Sequence, residues 1–419
     1  MKVTVLPPDL AGDPEVTAML QAFYSRSNMP IAERLDKLRN EANGDTSKIR
    51  EALSRYYVGY GHKSIGQCGT ITIFIEDVSM IAAKAVQHHP LYNGQECSTR
   101  YLDFSTPAFY DQVSDEVSAT VHEWYRLYDE VRTNLVRALT ATFGNPLSAS
   151  EARAINAYAF DRARGWLPAA AYTKLSWHTQ FDNLEQHLAQ MLVHPFKEVR
   201  DLAVAINDEV SAHYPVLKKV EPASAAFTVW DRWDGVANSA NPRPLHMTST
   251  VRNYLLTRKK HDRLPFGIGT QWRTMVNGQI DFGTWRDLQR HRNGAIEYTT
   301  PRHDSFHRWY MEQLAELALD EEFIKHVHEF TAKIAAKDFA RPESMAYAAA
   351  LGSVVQTRLN YGLDELLYVI ELRTGHTVHP VLREFMQHVA QEYYLEGFAN
   401  MEPSKFELKR GDQTILKIE

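Results

Sequence analysis

Apolar residues recur at helical spacing between Pro30 and Gly59, which predicts a first long helix over 31–58. The period then shortens. Residues 69–75, GTITIFI, alternate and are rich in β-branched and aromatic side chains, so they predict a strand. Asp77 and Ser79 follow as cap residues ahead of an apolar helix over 80–87. A long amphipathic helix fits 115–143 and stops near Gly144 and Pro146; helices fit 149–163 and 182–212 as well. From Glu221 to Leu245 no period survives in EPASAAFTVWDRWDGVANSANPRPL, whose Pro, Ala, Ser, Asn and Gly content predicts a linker. Beyond it the order repeats: a strand around 274–282, a short helix over 284–290, a loop, then helices over about 304–335, 344–359 and 363–373.

This order predicts two domains, 1–222 and 246–419, joined by a linker over 223–245, as the length of 419 residues also favours. Gln87, His88 and Arg100 fall opposite Gln289, Arg290 and Arg302 at one offset, since 289 − 87, 290 − 88 and 302 − 100 all give 202. Hydrophobic residues at 44% and charged residues at 23% fit a packed core. The net charge of −6 argues against a surface for sequence-independent nucleic-acid binding but leaves room for a small anion on a local arginine cluster. Cys68 and Cys97 fit neither a disulfide framework nor a zinc ribbon, so a reducing, cytoplasmic setting is expected. Prolines and acids break the N-terminal MKVTVLPPDLAGDPE before a leader's apolar region forms, and Lys84 interrupts MIAAKAV, so neither a signal peptide nor a membrane span is expected.

Two stretches carry the candidate chemistry: HHPLYNGQECSTRY at 88–101 and RHRNGAIEYTTPRH at 290–303. Both resemble the signature R-H-R-x-x-S-x-N-E-x-S-x-R-Y of the flavin-dependent thymidylate synthases, the ThyX family. The first copy keeps Glu96, Ser98, Arg100 and Tyr101, with only His89 left of the front; His88 and Pro90 replace the arginines, and Asn93 and Gln95 replace the Ser and Asn. The second keeps Arg290, His291, Arg292 and Arg302, with Thr300 at the second Ser, Tyr298 for the Glu and His303 for the Tyr. GHKSIGQCGTITIFIEDVS at 61–79 is similar to the family's H-x-S entry and strand. ARGWLPAAAYT at 163–173 is similar to its A-R-x-x-L-P-x-x-x-x-T segment, and LLYVIELRTGHTVHPVLRE at 366–384 to its H-F-x-x-L-R stretch. These place Arg164 and Arg373 on nucleotide-binding arginines; the other copies read AALGSV around Leu351, and Met191 or Gln190.

The resemblance implies an α+β fold of two tandem ThyX-like domains, each a twisted, mainly antiparallel sheet flanked by helices. It implies FAD as cofactor, dUMP or a related uridine nucleotide as substrate, methylenetetrahydrofolate and NADPH as co-substrates, and reductive C5-methylation. His89, Arg290, His291 and Arg292 would hold the cofactor. Glu96, Ser98, Arg100, Tyr101, Arg164, Arg302 and Arg373 would hold the substrate, with Arg290 and Arg373 nearest the chemistry. Planar guanidinium forks suit phosphate oxygens, which is why arginine density matters here. Because each copy has lost what the other kept, the live site is expected to be composite, in a homodimer mimicking the family tetramer. A different pyrimidine nucleotide, or a flavin-free nucleotide-binding pseudoenzyme, stays open as an alternative. Cys97 falls on a variable signature position, and His303 with His307 lacks a further metal ligand, so neither a catalytic thiol nor a metal is expected.

Overall fold

The computed structural model describes residues 1–402 except 26, 42–45, 60–62, 100–103, 144–147, 215, 218, 224–248, 263, 265–271 and 317–318. Most of the linker predicted over 223–245, and both Arg100 and Tyr101, therefore lie outside the described residues. The chain forms two compact units that are not sequential: Met1–Cys97 with Tyr172–Thr228, and Ser98–Ala171 with Val229–Glu419.

In the first unit an antiparallel sheet runs β1 (Lys2–Val5), β2 (Thr70–Ser79) and β3 (Tyr172–Gln180) in that spatial order. Ile71, Ile73 and Ile75 of β2 point inward, as a period of two requires. The strand continues past the predicted 69–75 because a bulge between Ile75 and Val78, with Asp77 at φ 55°, absorbs an extra residue. Ser79 then caps the helix Met80–Gln87, its hydroxyl accepting from Ala82 N. The buried Glu198 carboxylate accepts from Ser79 N and Oγ at 2.7 and 2.5 Å. Two predicted helices divide: 31–58 is Ile31–Glu41 and Ser47–Leu53 followed by a wider turn to Gly59, and 182–212 is Phe181–Met191 and Lys197–His213. Pro195, which lacks an N–H to continue a helix, lies in the second break.

The second unit carries β4 (Arg273–Asp281), β5 (Gly294–Tyr298) and β6 (Val354–Gly362), antiparallel in the order β4-β6-β5. The helix predicted over 344–359 is corrected here: only Pro342–Tyr347 is helical, and the rest enters the central strand. The run of alanines favours a helix locally, but Val355, Thr357, Leu359 and Tyr361 alternate and are all fully buried, so sheet packing overrides propensity. Residues 294–298, predicted as loop, form the edge strand β5. The helices Asp115–Phe143 and Ala149–Ala163 have their predicted bounds, the latter opened by a capping box of Ser148 and Glu151. The stretch predicted over 304–335 is two helices, Arg308–Glu316 and Glu321–Ala335.

Each sheet repeats one local device, a strand that runs directly into a helix. β2 enters Met80–Gln87 and β4 enters Phe282–Leu288; β3 enters Phe181–Met191 and β6 enters Leu363–Arg373. For the second pair the offset is constant, since 354 − 172 and 363 − 181 both give 182. Within the second unit that offset becomes physical contact. Ala169 N donates to Ala349 O at 2.9 Å and Leu351 N to Leu167 O at 2.8 Å, around an antiparallel bridge between Pro168 and Ala350. Residues 182 apart thus play equivalent parts in this exchange of hydrogen bonds, as a local two-fold requires. Gly352 N also donates to Gly165 O at 2.7 Å, an approach only glycine permits, because a Cβ on Gly352 would lie 2.9 Å from that oxygen and 2.7 Å from the Phe306 ring.

Candidate functional site

The helix Phe282–Leu288 organises the site. Asp281 caps it, one carboxylate oxygen accepting from Thr284 N at 2.9 Å and from the Tyr310 hydroxyl at 3.0 Å. Asp281 and Thr284 are fully buried, which fixes the first turn; Asp287, three residues beyond Thr284, shares its face. Arg164 follows the helix Ala149–Ala163 in the short turn Arg164–Trp166, and reaches Asp287 Oδ2 at 3.2 Å and Thr284 Oγ1 at 3.4 Å. Arg164 is only 1% exposed. Burial opposes its charge, but Asp287, Tyr310, Asp281 and Asp161 outweigh that effect, so its proton is held more tightly than usual.

Two further arginines meet the same aspartate. Arg290 Nη2 lies 3.8 Å from Asp287 Oδ1, with its side chain half exposed. Arg373, the last residue of the helix Leu363–Arg373, donates from Nη2 to Asp287 O at 2.9 Å and from Nε to His291 Nε2 at 2.7 Å. Burial lowers the proton affinity of Arg373, and Arg290 adds to that, against the carboxylate of Asp287. Among the described residues Arg373 Nη1 has no hydrogen-bond partner. Across the ring, His291 Nδ1 lies 3.5 Å from Glu365 Oε1; Tyr361 donates its hydroxyl to His291 O, and Tyr368 packs edge-on against the imidazole.

The second unit therefore brings together Arg164, Arg290, His291 and Arg373 from three distant segments. It does not bring Arg302 to Asp287: that side chain is 54% exposed and holds Asp304 through Nε and Nη2. Arg292 is half-buried next to His291, and Ser98 is half-buried. His303 and His307 precede the helix Arg308–Glu316 and so do not share a helical face; His303 Nε2 donates to Lys337 O at 2.7 Å. Among the described residues no group of three His, Cys, Asp or Glu side chains is placed to hold a metal, and Cys68 and Cys97 are not joined in a disulfide.

In the first unit Glu96 is held from within the protein. Lys84 Nζ lies 2.6 Å and Gln87 Nε2 3.2 Å from Glu96 Oε2, and Lys84 also donates to Gln87 Oε1 at 2.6 Å. Both charged side chains are almost fully buried. Removing one partner leaves the other buried without that opposite charge, so Glu96→Ala is expected to cost about 3–5 kcal/mol in urea unfolding, with the double replacement Lys84→Met/Glu96→Met closer to wild type. A double variant as unstable as Glu96→Ala would show that the pair is not the cause. His89, partly exposed, packs on His187 with ring centroids 5.2 Å apart, and its Nδ1 accepts from Leu91 N.

Asp287, Thr284, Glu365 and Lys84 are the site residues the sequence did not disclose. Lys84 offered a signal, since a lysine on an otherwise apolar helix needs a buried partner within reach. Asp287 gave none beyond its place three residues before Arg290.

Two antiparallel sheets flanked by helices, with a guanidinium–carboxylate cluster gathered at helix ends, define an α+β protein. Residues 11–216 match the family described as thymidylate synthase complementing protein, and over that stretch the chain is ThyX-like. A UPF0159 protein of Chlamydia pneumoniae is 27% identical over 212 residues, 42% of this chain and 40% of the relative, so the chain spans about two fifths of that relative's length. A structure of ThyX from Helicobacter pylori complexed with FAD and dUMP aligns at 16% identity with a TM-score of 0.35, covering 53% of this chain and 100% of that one. A second structure of that protein with FAD and dUMP gives 16% and 0.34, covering 52% and 97%.

Proposed function

We propose that this protein is a duplicated flavin-dependent thymidylate synthase-like enzyme that methylates C5 of dUMP or a related uridine nucleotide, with methylenetetrahydrofolate and NADPH as co-substrates. One observation carries the reading. Arg164 comes from inside the stretch that matches the family, Arg290 and Arg373 come from beyond it, and the three converge on one aspartate. That is the composite arrangement expected of two copies that have lost complementary parts. The 182-residue exchange between 167–169 and 349–351 supports duplication, and a homodimer of such chains would mimic the family tetramer.

The residues fit the anionic part of FAD and of a nucleotide. Arg290 is half exposed and, among the described residues, Arg373 keeps Nη1 uncommitted, so both would donate to phosphate oxygens, while the buried Arg164 holds Asp287 in place between them. FAD, when bound, supplies hydride chemistry. His291 does not donate to it in the resting protein, since one ring nitrogen accepts from Arg373 and the other faces Glu365.

The Lys84–Glu96 pair favours a second reading, a flavin-free nucleotide-binding pseudoenzyme, because the carboxylate expected to meet substrate already has an internal cation. The visible spectrum of the purified chain separates the two. A yellow protein whose flavin bands shift on adding dUMP supports the enzyme; a colourless protein that FAD cannot reconstitute refutes it. Complementation of a thymidine auxotroph then distinguishes dUMP from another pyrimidine nucleotide.

A further inference from the structure

Arg373 Nε carries a hydrogen and can only donate, so at 2.7 Å the His291 Nε2 it touches must be a bare lone pair. The proton of the neutral ring then sits on Nδ1, the nitrogen 3.5 Å from Glu365 Oε1. Glu365 is 1% exposed and occupies the first turn of the helix Leu363–Arg373, where the helix dipole favours a carboxylate. Glu365 and Arg373 are thus opposite ends of one helix, linked through the imidazole of His291. Tyr361 holds the His291 backbone and Tyr368 packs against its ring, so the imidazole has little freedom to turn away.

We infer that Glu365 is a positioning residue: it fixes His291 as the Nδ1–H tautomer, whose Nε2 lone pair holds the guanidinium of Arg373 with Nη1 facing outward to an anion. Glu365 touches no ligand in this arrangement. It acts through His291, and an Nε2–H imidazole would repel the Arg373 N–H instead of accepting it. The anion is the part that rests on the function proposed above; the tautomer is a property of the resting protein.

The test uses the full chain with ¹⁵N-labelled histidine, a long-range ¹H–¹⁵N correlation spectrum, and His291→Gln to assign the resonance. In the wild type Nδ1 is expected to be protonated and Nε2 bare. Glu365→Leu should shift His291 toward Nε2–H and weaken binding of inorganic pyrophosphate, measured by calorimetry, by about tenfold. Glu365→Gln, whose amide oxygen still accepts from Nδ1–H, should keep the tautomer and stay within about twofold of wild-type affinity. An Nε2–H ring in the wild type, or an unchanged tautomer in Glu365→Leu, overturns the inference. If Glu365→Leu does not fold, the wild-type and Glu365→Gln spectra decide: Nδ1–H in both supports it, and Nε2–H in either overturns it. Failure of wild-type protein to bind pyrophosphate would count against the anion site and leave the spectroscopic result standing.

Discussion

Asp287→Ala should lower the unfolding free energy by about 3–5 kcal/mol, the range seen when one member of a buried ion pair is removed. The reason lies in what remains. Arg164, 1% exposed, would face Thr284 without its nearest carboxylate, and its Nε already has no hydrogen-bond partner among the described residues. Asp281 offsets part of that loss through its longer-range attraction, which places the expected value toward the lower end. Asp287→Asn keeps an acceptor for Arg164 and should cost less, about 1–3 kcal/mol. The Arg164→Met/Asp287→Met double variant should recover part of the loss, because it removes the most buried charge together with its partner while Arg290 and Arg373 still lose a carboxylate. Urea midpoints for the four proteins give the measurement; an Asp287→Ala midpoint indistinguishable from wild type would mean that Arg164 does not depend on this aspartate.

Acid should destabilise the first unit well above the range in which carboxylates titrate. His187 is buried; burial, then His89 and His88, push its pKa down to about 3 despite the two carbonyls its Nε2 meets, those of Ala85 and Val86. His194, also buried, is lowered to about 3 by burial, Arg200 and His88. Folded-state affinities below the unfolded value mean that stability is intact above about pH 6.5 and is lost as the pH falls, because only the unfolded chain takes up these protons. For the two rings together the loss between pH 7 and pH 5 is about 4 kcal/mol. His88, pushed down to about 4 by burial and His89, acts in the same direction from a partly exposed position and is left out of that figure. Denaturant unfolding at the two pH values should show the loss, and His187→Gln should remove about half of it. Equal stability at pH 7 and pH 5 would rule out neutral burial of these rings.

Hydrophobic period made the two long helices of residues 115–163 legible, because their faces and stops are local. The sheets were less so. β3 and β6 mix polar and aromatic residues, and their identity as strands comes from partners far away in sequence. The site divides in the same way. Arg164, Arg290, His291 and Arg373 were legible because the resemblance marks them, whereas Asp287, Glu365 and Lys84 matter through contacts made only on folding. Glu96 shows the limit of reading a motif by residue type: its carboxylate is where the signature puts it, and what it faces is a lysine of its own unit.

The hydrogen-bond exchange between 167–169 and 349–351 joins Leu-Pro-Ala to Ala-Ala-Leu, two non-identical sequences in one polypeptide. In an assembly of identical subunits a substitution on such an axis alters both sides at once, and a change tolerable on one side only is eliminated. Here either side can drift while the other holds the geometry. A covalent chain with this clasp can therefore accumulate different changes on its two sides, and a gene library varying 167–169 and 349–351 separately should recover many more folded variants than one forcing the same changes on both.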